Sequence, residues 1–405
     1  MNKTEMQYDL LAPLHTSTAP EFVSGKGAEL FDAQGRRYLS FNELSCCLGA
    51  GNAHYIEVMQ RAVSELQQAG AANPYKARLL ERLMQTTHGD FERVHLTASG
   101  SEAVEWAVKL AKKMTGRSEV ISFWNSIHGR THLSASMSGL PKRKTGYGPL
   151  ESGVLLTPYP DCGHCPFRCD SKNCGFYCLD FLSEQVTYGS AQDIAAVVIE
   201  LSQGAAHACP PPGYLKALRE WTSRRGILLI FDEIQSGMGR TGVLYRYQEE
   251  GVVPDFLLLG KGLANGMHMA GFLMRGAVEK EWLPALAGGS GDSLLTCAAA
   301  CAMFDELLDG GLLEHIALVG AQLKQGLEDC VRRYGAAVRV RGNGFALTLE
   351  CADSETAGAV HAAMDAKGYL LGRMGAYLVL KPPYSLSAGQ ADEVCRAFDE
   401  TFAKL

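Results

Sequence analysis

A lysine that directly follows an apolar run and precedes a glycine-rich turn is placed to act as a half-buried amine. Lys261 stands so in PDFLLLGKGLANG, after the run Phe256 to Leu259. Upstream, Asp232 ends a second apolar run in GILLIFDEIQSGMGRTG. An acid and a lysine at the ends of two buried strands are what a pyridoxal phosphate site requires. The amine forms a Schiff base with the cofactor aldehyde, and the acid keeps the pyridinium nitrogen protonated so that the ring draws electrons. Either residue alone would read as a surface lysine or a helix-capping aspartate. The pair, each within a glycine-flanked motif, favours the cofactor.

The cofactor phosphate needs a cradle. HLTASGSEAVEWAVKLAKK offers a strand, then Ser99-Gly100-Ser101, then a helix. A helix N-terminus presents unpaired N–H groups and a positive dipole end, and small residues allow close approach. The same residues also serve as an ordinary helix cap, with Ser99 or Ser101 at the N-cap.

The elements that position these residues alternate. Phe91 to Thr97, Val120 to Phe123, Ile194 to Ile199, Ile227 to Phe231, Phe256 to Leu259 and Gly271 to Met274 read as short strands. Helical spacing of Ala103, Ala107, Leu110 and Ala111 predicts a helix over Ser101 to Thr115, and Tyr214 to Arg225 reads as another. Buried strands alternating with helices imply an α/β fold with a mostly parallel sheet. In such sheets ligands sit beyond the carboxyl ends of the strands, where Asp232 and Lys261 fall. From about Asp305 the pattern changes to a long helix (Leu307 to Tyr334), then strands around Val338 to Glu350 and Tyr377 to Leu380. That predicts a second, smaller α+β lobe. The expected division is a large domain over 61–305 and a small one built from 1–60 and 306–405.

Composition permits such an enzyme. The chain has 405 residues, enough for a large core in two lobes, and its 47% apolar and 20% charged residues are ordinary for a globular protein. The net charge of -6 and the lack of a lysine/arginine cluster give no reason to expect nucleic acid. No apolar run approaches the ~20 residues of a membrane span, and the first twenty residues lack a continuous apolar stretch. The expected location is the cytoplasm. Thirteen cysteines in such a chain read as thiols rather than a disulfide framework.

The chain resembles the class III pyridoxal-phosphate-dependent aminotransferases of fold type I, the group of 4-aminobutyrate, ornithine and acetylornithine aminotransferases. The resemblance rests on GAELFDAQGRRYLSFN, TASGSEAVEWAVKLA, ISFWNSIHGRT, AVVIELSQG, IFDEIQSGMGRTG, LLLGKGLANG, RVRGNGFALTLE and LVLKPPYSLS, and covers nearly the whole chain. It implies Lys261 as the Schiff-base lysine, Asp232 as partner of the ring nitrogen, and Gly100 and Ser101 as phosphate binders. It places Ile234 under the ring and Gln235 near the ring hydroxyl, with Ile127, His128 and Glu200 also on the cofactor. It implies a homodimer with active sites at the subunit interface.

Departures from the family pattern carry information. Ile127 stands where the family has an aromatic residue before His-Gly, so offset stacking worth roughly a kcal/mol is lost. Arg130 matches the arginine that grips a substrate carboxylate; a structural ion pair is its other reading. The glutamate of the family's switch pair would fall at Ala205 and its arginine near Val379, and neither is present. A site without that pair is expected to take one carboxylate-bearing amino substrate mode and to use glutamate poorly. Ser290, in GGSGDSLLTCAAA, substitutes for the threonine that reaches the phosphate from the other subunit. The GHxHP segment reads GAGNAHY.

Five cysteines cluster in PYPDCGHCPFRCDSKNCGFYC: Cys162, Cys165, Cys169, Cys174 and Cys178, with His164 between them. Four thiolates could hold zinc or an iron–sulfur cluster. The outer spacings match no standard finger, so the expectation is a reduced loop without metal. The expected reaction is amino transfer between an amino acid or ω-amino acid and a keto acid. An amino-acid racemase or epimerase of the same family uses the same cofactor, and a degenerate scaffold is the remaining alternative. Retention of Lys261, Asp232, Gln235 and the phosphate loop argues against a scaffold.

Overall fold

Continuous apolar runs without alternation belong in a sheet covered on both faces, and the chain uses them so. A computed structural model describes residues 20–65, 72–204, 206–276, 291–334 and 339–404. Near the start, β1 (Phe22–Lys26), β2 (Glu29–Asp32) and β3 (Arg37–Phe41) form a meander. The large sheet follows, with β4 (Arg93–Thr97), β5 (Glu119–Phe123), β6 (Val154–Thr157), β7 (Ile194–Glu200), β8 (Leu228–Asp232), β9 (Phe256–Leu259) and β10 (Ala270–Met274). The order across it is β4-β10-β9-β8-β7-β5-β6. Strands β9, β8, β7, β5 and β6 are mutually parallel, and β10 is antiparallel to both β9 and β4.

Each face of this sheet is buried by a different helix set. Ala196 and Val198 of β7 join Ala103, Val104 and Ala107 of the helix Gly100–Thr115 in one cluster. Val197 and Ile199 point the other way and join Tyr214, Leu215 and Leu218 of the helix Tyr214–Arg224. Burying each large aliphatic side chain is worth about 1.5–3 kcal/mol, and every residue of β7 is buried. This is a rigid base for groups at the strand ends.

The second sheet takes in β11 (Arg339–Asn343), β12 (Ala346–Glu350), β13 (Tyr369–Met374) and β14 (Tyr377–Leu380), in the order β1-β2-β3-β13-β14-β12-β11. It is built from both ends of the chain, and β13 joins β3 in parallel. The expected strands agree with these to within one or two residues at their ends, except that Val338, an expected strand start, lies outside the described residues. The expected helix Leu307 to Tyr334 is corrected. A π-helical turn over Asp305–Asp309 ends at Gly310-Gly311, and a new helix runs Leu312–Tyr334. Gly311 adopts φ +70°, a left-handed conformation that breaks the helical path.

Candidate active site

Register places the acids. Glu200 and Asp232, the last residues of β7 and β8, lie opposite each other, and Asp232 lies opposite Leu258 of β9. Lys261 follows β9 by two residues and opens a short 3-10 turn, Lys261–Ala264. Its φ is +43°. A left-handed backbone costs a non-glycine residue roughly 1–2 kcal/mol, and such strain concentrates at functional sites. Lys261 Nζ donates to Gln235 Oε1 at 2.6 Å. Burial pushes this amine below the ordinary lysine range, against the pull of the Glu200 and Asp232 carboxylates. A lowered lysine is a better nucleophile at neutral pH.

Asp232 is 4% exposed and doubly engaged. Its Oδ1 accepts from the Ile234 amide at 3.0 Å, and its Oδ2 lies 2.7 Å from His128 Nδ1. Burial alone would lower the His128 imidazole, but Asp232 and then Glu200 hold it above its ordinary value. His128 Nε2 is buried, with no hydrogen-bond partner among the described residues. Burial raises the Glu200 carboxyl, with His128 opposing. Glu200 ties two loops to the strand end by accepting from the Ile127 amide at 2.9 Å and the Gly204 amide at 3.0 Å.

The helix Gly100–Thr115 begins at the same end of the sheet. Ser99 is its N-cap, with Oγ accepting from the Glu102 amide at 3.2 Å. That choice of cap leaves Ser101 free for another role, and Ser101 Oγ accepts from the Arg130 amide at 3.1 Å. Gly100 packs closely on Ile234: a Cβ there would meet Ile234 Cδ1 and Cγ2 at 3.1 Å, so that side chain would have to give by a few tenths of an ångström.

Most of these residues share one cavity of about 430 Å³, with Asp232 and Glu200 behind its lining rather than on it. Gly100, Ser101, Ile127, His128, Arg130, Ile234, Gln235 and Lys261 all line it. Arg130 is exposed and makes no ion pair among the described residues, so its reading as a structural ion pair finds no partner there. Trp124 lines a neighbouring cavity with Tyr159 and His164, and Ile127 is the side chain that lines this one. Ser290 and Ala205 lie outside the described residues. Val379 lines the cavity, as expected for the position of the absent arginine. Sequence reasoning missed Asn42, Arg143, Arg373 and Lys381 on its walls. Lys381 had a signal: two residues beyond Val379 on a strand is the same face.

The donor set fits pyridoxal phosphate. A lowered amine, a buried carboxylate, the apolar Ile127 and Ile234 and a helix N-terminus are the four chemistries that its aldehyde, ring nitrogen, ring faces and phosphate call for.

The cysteine loop lies apart from this site. All five thiols line one small cavity of about 30 Å³ with Tyr159, Phe167 and Phe176, and they are unpaired. Among the described residues no group of three or more His, Cys, Asp or Glu is placed to hold a metal ion. The loop is fastened to the small sheet by Arg341, which binds Asp161 at 2.8 Å and Glu350 at 2.6 Å.

Fold and site together define a pyridoxal-phosphate-dependent transferase of fold type I. A model of the family described as Aminotransferase class-III matches residues 14–402. The acetylornithine aminotransferase of Streptococcus mutans is 30% identical over 394 residues, 96% of this chain and 97% of that protein. The diaminobutyrate–2-oxoglutarate aminotransferase of Rhizobium meliloti is 30% identical over 412 residues, 94% of this chain and 87% of that one. An amine transaminase from an uncultivated Pseudomonas species, solved with pyridoxal phosphate bound, is 29% identical with a TM-score of 0.88, over 97% of this chain and 98% of that one. The chain belongs to the class-III aminotransferases: it is an enzyme, its cofactor is pyridoxal phosphate, and its reaction is amino transfer. The racemase alternative finds no support among these relatives.

Proposed function

We propose that Lys261 is the residue that holds the cofactor and moves the proton of the amino-transfer reaction. The observation that carries this is the placement of its Nζ, 2.6 Å from Gln235 Oε1 and on the same cavity as the N-terminus of helix Gly100–Thr115. When bound, pyridoxal phosphate supplies an electron-withdrawing ring that makes a proton on the substrate's amino carbon removable. The chain supplies the rest. Asp232, oriented by His128 and the Ile234 amide, keeps the ring nitrogen charged. Gly100 and Ser101 receive the phosphate. Ile127 and Ile234 would cover the ring and exclude water. Gln235 would hold the ring hydroxyl, and Glu200 fixes the Ile127 and Gly204 loops. Lys261 would hold the cofactor aldehyde through Nζ and, as a free amine, would take up and return the proton of the substrate's amino carbon.

Arg130 binds a carboxylate of the amino substrate, for which a guanidinium fork is suited. The substrates of this reading are an amino acid or ω-amino acid and a keto acid. The relatives named as acetylornithine and diaminobutyrate aminotransferases support it. The same reading divides the chain into a large domain over 61–305 and a small one over 1–60 and 306–405. It takes a homodimer with active sites at the interface, where Ser290 reaches a phosphate across subunits. It assigns no nucleic-acid or membrane partner, and no helix among the described residues is long and apolar enough to cross a membrane. The unpaired thiols support a reducing compartment, the cytoplasm.

A panel of amino acids, added to holoenzyme without keto acid, tests the reading. Conversion of the cofactor to its amine form, seen as loss of its visible absorbance, is the expected result. Inversion of substrate configuration without that change would overturn it.

A further inference from the structure

Strand β14 ends at Leu380, and Val379 on one of its faces lines the cofactor cavity. Side chains alternate along a strand, so the next residue on that face is Lys381. It lines the same cavity and is only 5% exposed. Its Nζ has one acceptor among the described residues, the neutral carbonyl of Gly204 at 3.1 Å. An ammonium has three N–H donors, and no carboxylate among the described residues forms an ion pair with this one.

A buried cation without a counter-ion is costly unless an anion completes it. The acids of the site are already committed. Asp232 serves His128 and the Ile234 amide, and Glu200 serves the amides of Ile127 and Gly204. Arg130 and Arg143 line the same cavity, also without ion pairs among the described residues. The cavity therefore carries three basic side chains, Lys381, Arg130 and Arg143, with no carboxylate paired to them among the described residues. Burial, then the fields of Lys261 and Arg240, push the Lys381 ammonium well below the ordinary lysine range, and Glu200 opposes them. An anion beside it is what would keep it charged.

We propose that Lys381 receives the distal carboxylate of a dicarboxylic amino donor and of its keto acid while the reacting carbon faces Lys261. This rests on the function proposed above. It replaces the expectation, drawn from Val379, that the site uses glutamate poorly because nothing holds a second carboxylate. The cation lies two residues further along the same strand face.

Glutarate and butyrate, unreactive acids that differ by one carboxylate, probe the assignment. Their dissociation constants are measured by calorimetry on holoenzyme of the wild type and of Lys381→Gln, Lys381→Met and Lys381→Arg. Glutamine keeps a donor for Gly204 O without charge, methionine removes both, and arginine keeps the charge. The expected wild-type preference for glutarate is roughly 10- to 100-fold, the worth of hydrogen bonds to a charged group. Lys381→Gln and Lys381→Met lose it, and Lys381→Arg retains it. The proposal is overturned if the wild type shows no preference. It is equally overturned if the preference survives in Lys381→Gln or Lys381→Met, including by equal weakening of both acids, which marks a structural role at Gly204. Cofactor linkage is read on every sample. A wild type without cofactor on Lys261 defeats the functional reading itself, whereas normal linkage with an intact preference in Lys381→Gln defeats this inference alone.

Discussion

Replacing Asp232 by asparagine removes one charge and almost no volume, so it isolates what the carboxylate does. The substituted side chain would still accept from the Ile234 amide through its oxygen. Its amide nitrogen would face His128 Nδ1, where a carboxylate oxygen now lies at 2.7 Å. His128 is 2% exposed and Asp232 4%, so solvent cannot restore the lost partner. Breaking a buried charged pair on one side costs about 3–5 kcal/mol. If the ring nitrogen loses a comparable stabilisation of its proton, the rate falls by roughly two to four orders of magnitude, at about 1.36 kcal/mol per tenfold. The assay is stopped-flow absorbance of the cofactor with saturating amino substrate, which follows one half-reaction without product release. Cofactor content is expected to stay near stoichiometric. The same substitution also changes the pH dependence of stability. The His128 pKa is raised in the fold, so its contribution is complete below the ordinary imidazole value and is lost as pH rises through the folded value. In Asp232→Asn burial dominates, and melting of the cofactor-free protein should no longer lose stability over that window. A half-reaction within fivefold of wild type would refute the role given to Asp232.

Arg130→Ala raises KM for carboxylate-bearing amino substrates and leaves carboxylate-free amines nearly unaffected. Because Arg130 is exposed, the loss is modest, about 1–2 kcal/mol or roughly 5- to 30-fold, and unchanged kinetics on the amino acid would count against it. In the cysteine loop, burial pushes the Cys178 thiol up to about 12, with Cys174 adding to it, which disfavours the thiolate a metal needs. Elemental analysis of purified enzyme is expected to show no stoichiometric metal and thiol titration under denaturation to count 13 free thiols. One zinc per chain, or iron with acid-labile sulfide, would contradict both.

Legibility follows burial. Strands β7, β8 and β9 are apolar through their length, so Ile194–Glu200, Leu228–Asp232 and Phe256–Leu259 announce themselves, and with them the ends where Glu200, Asp232 and Lys261 sit. Strand β1 mixes exposed and half-buried residues, and in β13 only Tyr369 and Leu371 are buried, so neither carries such a run. A helical pattern over Leu307 to Tyr334 hides a break because Gly310-Gly311 decides the path, not the periodicity around it. The His128–Asp232 pair joins residues far apart in the chain, and only the sheet order brings them together. Lys381 escapes for a different reason: the absent arginine draws attention to Val379, and not to its neighbour on the same strand face.

Borohydride reduction of the holoenzyme followed by peptide mass mapping tests the central claim most directly. Reduction fixes the cofactor to whichever amine holds it. The account predicts one pyridoxyl group per chain, on the peptide that contains Lys261, and none in Lys261→Ala. A stoichiometric adduct on another lysine, with Lys261→Ala retaining the cofactor's absorbance and normal turnover, would contradict it.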